Sequence, residues 1–315
     1  MKKIALYGSD LKAQLKAGAL DKSYSFIMND GMVRGCMVHT TKMVNEMRAN
    51  HQLGILETLV LGHAYIAGTL LASGLKGSDQ VGFRIDCSGP IKGIVVEANA
   101  FGEVRGYLKN VPIPIDKPLE NFNLSPFFGA GFLFITKYLE DAKQPFTGQV
   151  ELQYGSIAKD LTYYYSTSEQ IPSAVSLSIR FNTDGEVTGA GGLLVQVLPG
   201  ADDRTIDGLE ELVQRLPSLG ECFAEKKKIE DLIHEVFRHG NPKILSSHRV
   251  EFMCHCNQDR MKNYLLLLPP KDLTDLAQNG PFPMELTCHH CNTRYHFSRQ
   301  ELKEILQNRQ KMRNN

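Results

Sequence analysis

Four cysteines in two pairs carry the most specific chemistry in this 315-residue chain. Cys254 and Cys256 stand one residue apart in EFMCHCNQDR, and Cys288 and Cys291 stand two apart in LTCHHCNTRY, giving C-x-C-x31-C-x2-C. Four thiolates suit tetrahedral zinc, with zinc–sulfur bonds of about 2.3 Å. His255, His289, His290 and His296 lie beside them and are competent ligands, but four cysteines already satisfy the tetrahedron. The first pair is tighter than the roughly two-to-four-residue spacing of ordinary structural sites. Two thiols one residue apart can close a disulfide, but only in a small ring with poor torsions, so the bond should be easily reduced. Zinc holds thiols as thiolates, the form that oxidants attack. Residue chemistry therefore leaves two readings open. One is an inert clamp; the other is a switch that unfolds a metal-dependent unit when its ligands are oxidised.

Elements on both sides must position these sulfurs. Met284 and Leu286 before the second pair, and Tyr295 and Phe297 after it, alternate as strands do. Ser298-Arg299-Gln300-Glu301 reads as a capping box opening a helix. Between the pairs, MKNYLLLL and KDLTDLAQ read as helices parted by Pro269-Pro270.

Upstream, strand-like runs dominate to about residue 200. ALYGSD is one. SYSFIMNDGMVRGCMVHT holds a hairpin around Asn29-Asp30-Gly31, and QVGFRIDCSGPIKGIVVEANAFGEVRGYL holds three strands. GFLFITKYL, TGQVELQYG and a hairpin about Asp184-Gly185 follow, with IAKDLTYYYSTSEQ as a helix. Thr40 or Thr41 caps a helix running to His51. TLVLGHAYIAGTLLASGL, residues 58–75, has no formal charge over a length that almost spans a bilayer, and is read as a buried core helix. Gly189-Ala190-Gly191-Gly192 lacks a dinucleotide-site context and is read as a point of close backbone packing. The fold class expected is α+β: a mixed sheet-and-helix core domain over 1–200, an amphipathic helical linker over 201–246, and a small C-terminal zinc-binding domain with a tail over 247–315.

The linker is defined by two apolar stripes. Ile206, Leu209, Leu212, Val213 and Leu216 recur at helical spacing, and so do Ile229, Leu232, Ile233, Val236 and Phe237 after the charged run Glu225–Lys228. Each stripe needs a cover. The remaining cysteines are isolated. Cys36 and Cys87 fit the core, and Cys222, with no assigned role, starts the second helix where an exposed position is open to it.

Composition narrows the partners. With 35 Lys+Arg against 35 Asp+Glu the formal net charge is zero, so nothing in the overall balance asks for nucleic acid or an anionic membrane. MKKIALYGSD has two lysines but no apolar run behind them, so a cytoplasmic chain with reduced thiols is expected. There is no G-x-S-x-G elbow, Walker loop or G-x-G-x-x-G.

With these residues in place, the chain resembles the heat shock protein 33 family of redox-regulated chaperones. Besides the two cysteine pairs, RIDCSGPIKGIVVEANAFGEVRGYL, FTGQVELQYGSIAKDLTYYYSTSEQIPSA and GAGGLLVQVLPGAD carry the likeness, in that order. The resemblance implies an ATP-independent holdase, not an enzyme, that keeps unfolding proteins from aggregating under oxidative and heat stress. It implies one zinc ion per reduced, inactive chain, bound by Cys254, Cys256, Cys288 and Cys291. On oxidation it implies disulfides pairing Cys254 with Cys256 and Cys288 with Cys291, loss of zinc, unfolding of the linker at 203–216 and 221–238, and an active homodimer. Two departures are an extra thiol in Asp86-Cys87-Ser88-Gly89-Pro90 and the run Asn257-Gln258-Asp259-Arg260 after the first pair.

Two other functions are weighed against it. A thiol–disulfide oxidoreductase would use Cys288-His289-His290-Cys291, but that motif lacks the helix start of a βαβ unit. A zinc ribbon for nucleic acid would need more charge than the ten Lys/Arg against seven Asp/Glu found from Arg249 onward.

Overall fold

Alternation builds the first hairpin of the computed structural model, which describes residues 1–4, 6, 21–115, 121–201, 205, 208, 213 and 215–314. β1 (Lys22–Met28) and β2 (Val33–His39) pair antiparallel. Asn29, Asp30 and Gly31 make the turn with φ of 51°, 51° and 88°, the left-handed region that Asn, Asp and Gly tolerate best. The strand expected from ALYGSD lies almost wholly outside the described residues.

Two units are formed, Ile4–Phe252 and Met253–Asn315 with Met1–Lys3. In the larger one, α1 (Thr41–His51) and α2 (Ile55–Ala72) follow the hairpin. Then come β3 (Gln80–Cys87), β4 (Gly93–Asn99), β5 (Glu103–Leu108), α3 (Ser125–Phe128), β6 (Gly131–Tyr138) and β7 (Phe146–Glu151). α4 (Ile157–Tyr164), β8 (Ser173–Phe181) and β9 (Val187–Val197) complete the expected core region. Beyond it lie α5 (Leu219–Ala224), α6 (Ile229–Val236), β10 (Lys243–Arg249) and β11 (Glu251–Phe252). The strands form a five-stranded sheet, β10-β1-β2-β9-β8, and a six-stranded one, β11-β5-β4-β3-β6-β7. Residues 247–252, expected with the cysteines, thus belong to the larger unit's sheets.

α2 packs against strands of both sheets, and 89% of it is buried. That explains its uniform apolarity: a helix between two sheets has no face left for water. It starts at Ile55, three residues earlier than expected, and so takes in Glu57, whose buried carboxylate accepts the Ile113 N–H at 2.8 Å. Sheet strands sandwiched this way bury both alternating sets of side chains, as β2 and β9 do.

The smaller unit contains α7 (Gln258–Leu267), α8 (Pro270–Asn279), the hairpin β12 (Met284–Thr287) with β13 (Arg294–Phe297), and α9 (Arg299–Asn314). Ser298 and Glu301 make the reciprocal capping box: the Ser298 N–H donates to Glu301 Oε2 at 2.8 Å and the Glu301 N–H donates to Ser298 Oγ at 3.3 Å.

Candidate metal centre and linker-covered face

The four cysteine sulfurs all lie within 4.8 Å of one another, and all four residues are buried. The local chain explains how each pair reaches inward. Around Cys254 the backbone is not helical, so side chains two apart share a face: Cys254 and Cys256 are buried and His255 between them is exposed. Asn257 then caps α7, accepting the Arg260 N–H at 2.8 Å. Cys288 and Cys291 sit in the turn joining β12 to β13. There the Cys288 carbonyl accepts the N–H groups of Cys291 and Asn292, while the Cys288 N–H bonds to the Thr293 carbonyl. Asn292, at φ 54°, supplies the left-handed residue the turn needs.

The spacing fits a tetrahedral thiolate site. Cys254 Sγ is 3.8 Å from Cys288 Sγ, and Cys256 Sγ is 3.3 Å from Cys291 Sγ. Sulfurs at tetrahedral corners around zinc would be about 3.8 Å apart for bonds of about 2.3 Å. Without a cation the four thiols are electrostatically incompatible as thiolates. Hydrogen bonds from Cys254, Cys288 and Cys291 hold Cys256 well below the ordinary thiol range, while those involving Cys254, Cys256 and Cys291 push Cys288 up. A divalent cation removes that conflict by favouring ionisation of all four.

Two further groups touch the sulfurs. Tyr295 donates its hydroxyl to Cys256 Sγ at 3.0 Å, and Thr293 Oγ1 lies 3.2 Å from Cys291 Sγ. From the sequence Tyr295 is only a strand residue and Thr293 carries no signal; neither spacing nor residue type marks a sulfur's hydrogen-bond partner in advance. Glu285 lies 3.9 Å from His296 Nδ1, so this histidine faces a carboxylate. The C-x-x-C pair occupies a hairpin turn, not a helix N-terminus that would activate a redox thiol.

The second set of candidate residues lies on the larger unit. Ile229, Leu232, Ile233 and Phe237 are buried in one apolar cluster, with Val236 and Leu216 half-buried against it. Their cover is one face of the five-stranded sheet: Tyr24, Phe26 and Met28 of β1, Val33 and Met37 of β2, and Leu193, Val195 and Val197 of β9. Ile206, Leu209 and Leu212 lie outside the described residues, and Val213 is half-buried. The single helix expected over 221–238 is instead α5 and α6. Lys226 breaks it at φ 63°, and the N–H groups of Lys226 and Lys227 close back on the carbonyls of Phe223 and Cys222. The break lets Leu219, Cys222 and Phe223 face the same sheet as Ile229 and Ile233. Cys222 is therefore buried, at 3% exposure, as is Cys36; Cys87 is half-buried.

Glycines in β9 make this docking possible. A Cβ on Gly189 would stand 1.9 Å from the Gly220 carbonyl oxygen, and one on Gly191 would stand 2.2 Å from the Phe223 ring. Gly189 and Gly191 are the seat of α5, while Gly192 turns to the other face against Ile66 of α2. Polar bonds add to the contact: the Gly220 N–H donates to Ser178 Oγ of β8 at 3.0 Å, the Ser178 and Ser218 hydroxyls lie 3.0 Å apart, and Tyr24 donates its hydroxyl to Glu230 Oε1 at 2.5 Å. Against the opposing pull of burial, that bond holds the Glu230 carboxyl below its ordinary range.

Comparison with known proteins agrees with the site and the fold. The family model described as Hsp33 protein matches residues 21–298. The chain is 38% identical to a 33 kDa chaperonin of Desulforamulus reducens over 281 residues, 89% of this chain and 95% of that protein. It is 34% identical to a 33 kDa chaperonin of a Geobacillus species over 280 residues, 88% of this chain and 94% of that protein. The crystal structure of the 33 kDa chaperonin (heat shock protein 33 homolog) from Thermotoga maritima superposes with a TM-score of 0.84 at 33% identity, covering 93% of this chain and 99% of that one. The α+β fold, the clustered cysteines and relatives matched over nearly their full length have one reading: the chain belongs to the heat shock protein 33 family of chaperones.

Proposed function

We propose that this chaperone is an ATP-independent, cytoplasmic holdase for unfolding proteins, silent when reduced and activated by oxidation. The observation that carries the reading is the covered sheet face. Its aromatic and aliphatic side chains are the size and chemistry that bind unfolded chains, and its cover is a pair of short amphipathic helices.

Cys254, Cys256, Cys288 and Cys291 would hold one zinc ion, which when bound supplies a charge-neutralising cross-link between the two cysteine segments. Tyr295 and Thr293 orient the sulfurs of Cys256 and Cys291. The redox step pairs Cys254 with Cys256 and Cys288 with Cys291. Each disulfide forms one S–S bond as two thiolates give up two electrons; one hydrogen peroxide accepts them, with two protons from solvent, to leave two waters. Both pairs then lack the thiolates that bind metal. A small unit whose folding depends on its metal loses its structure. The polypeptide between Phe237 and Cys254 is short, so disorder in the smaller unit loosens β10, β11 and the linker helices. The exposed sheet face binds clients, and the active form is a homodimer. No catalytic activity, nucleic acid or membrane enters this scheme.

Zinc content and free thiols, counted before and after peroxide at mild heat beside aggregation of a denatured protein, test the proposal. Loss of one zinc and four thiols per chain together with suppressed aggregation is expected. Zinc loss with unchanged aggregation would remove the chaperone switch.

A further inference from the structure

A cleft of about 440 Å³ opens in the larger unit on the side of the five-stranded sheet away from the linker helices. Its floor is two cross-strand pairs, Arg34 with Gln196 and Cys36 with Leu194. One wall is the end of α2 and the turn after it, with Leu71, Gly74 and Leu75. The facing wall carries Lys137, Tyr165 and Glu169. At the mouth stands Leu245, the residue that the β1–β10 ladder skips, 61% exposed. The volume falls in the range of small-molecule sites, roughly 300–1,000 Å³.

The charges in the cleft are unequally matched. Glu169 is taken by Lys137 at 2.7 Å and by the Tyr164 hydroxyl at 2.6 Å. Asp79, at the rim, accepts the backbone N–H groups of Lys76 and Glu140. Arg34 uses its Nε on Gln196 Oε1 at 3.0 Å; its charge reaches Glu169 across the cleft, but it makes no direct ion pair among the described residues. At the end of α2, Ser73 and Leu75 bond to the carbonyls of Leu70 and Ala72. Burial pushes the Cys36 thiol up to about 12, so the floor bears no thiolate. An open guanidinium fork beside an aliphatic wall is the recognition pattern for a carboxylate with an apolar body.

We propose that this cleft binds a small amphiphilic carboxylate, its head on the Arg34 guanidinium and its apolar body against Leu71, Leu75, Leu139 and Leu245, the lining leucines that keep accessible surface. Nothing in the chaperone reading requires this site, and the site does not depend on that reading.

Octanoate titrated into the reduced, zinc-loaded full chain, followed by methyl resonances of the leucines, tests it. Octanol carries the same body without the charge, and acetate the charge without the body. Saturable octanoate binding at the four leucines is expected, at least tenfold tighter than either comparison compound. Arg34→Gln, at an exposed position, should weaken octanoate at least tenfold and octanol less than twofold. Gly74→Phe should plug the cleft, since a Cβ there meets nothing within 4 Å, and abolish both. Octanoate that fails to saturate, binds no tighter than octanol, or is indifferent to either substitution would overturn the proposal.

Discussion

On one face of the five-stranded sheet lies α2, eighteen residues long and buried on nearly every side; on the other lie α5 and α6, six and eight residues long with one apolar stripe. α2 also packs on the second sheet, so it cannot leave without opening the core. α5 and α6 have solvent on their far side, and helices shorter than about 12 residues hold little structure alone. Their fold depends on docking, which uses two glycines, the Ser178 hydroxyl and a tyrosine hydroxyl besides the apolar contacts. On the proposed function, the same sheet thus has a permanent cover and a removable one. Burial alone does not separate them, since Ile233 and Leu61 are both fully buried; what differs is how many other elements each cover holds in place.

Substitutions at the two covers should therefore fail differently. Leu61→Ala within the permanent cover should cost about 3 kcal/mol. The loss should appear in global denaturant unfolding, with every probe of the larger unit moving together. Gly189→Ala should cost about 2 kcal/mol by forcing α5 off its seat. Its signature is local: faster proteolysis within 219–237 while α2 amides keep their hydrogen-exchange protection. A global transition in Gly189→Ala, or a local one in Leu61→Ala, would erase the distinction.

The smallest effect belongs to the polar latch. Tyr24→Phe should weaken linker docking by about 1 kcal/mol. Because Glu230 is held below its ordinary range in the folded chain, its contribution is complete above the unfolded carboxylate value and is lost as pH falls through the lower folded value. Linker exchange in the native protein should therefore accelerate below about pH 4, and Tyr24→Phe should flatten that dependence. A pH profile unchanged by the substitution would assign the latch no role.

Much of this comparison was legible in the residues, and its gaps have physical causes. The cysteine set needed only type and spacing, and Ile229, Leu232, Ile233, Val236 and Phe237 needed only helical periodicity. Gly189–Gly192 was legible as a close packing point, but Gly189 and Gly191 were not legible as the seat of α5, because a glycine's neighbour is set by tertiary contact. The break at Lys226 was hidden because Glu225–Lys228 are all good helix formers; the left-handed turn arises from burying both Phe223 and Ile229 on one sheet. β10 pairs with β1, and β11 with β5, across long stretches of chain, and no local pattern records such a partner.

Hydrogen exchange read by mass spectrometry on reduced, zinc-loaded chain and on peroxide-oxidised chain tests the removable cover most directly. The account predicts that residues 219–237 and the β1 strand at 22–28 lose protection on oxidation while 55–72 keep theirs. Equal protection of 219–237 in the two forms, or loss across both covers together, would contradict it.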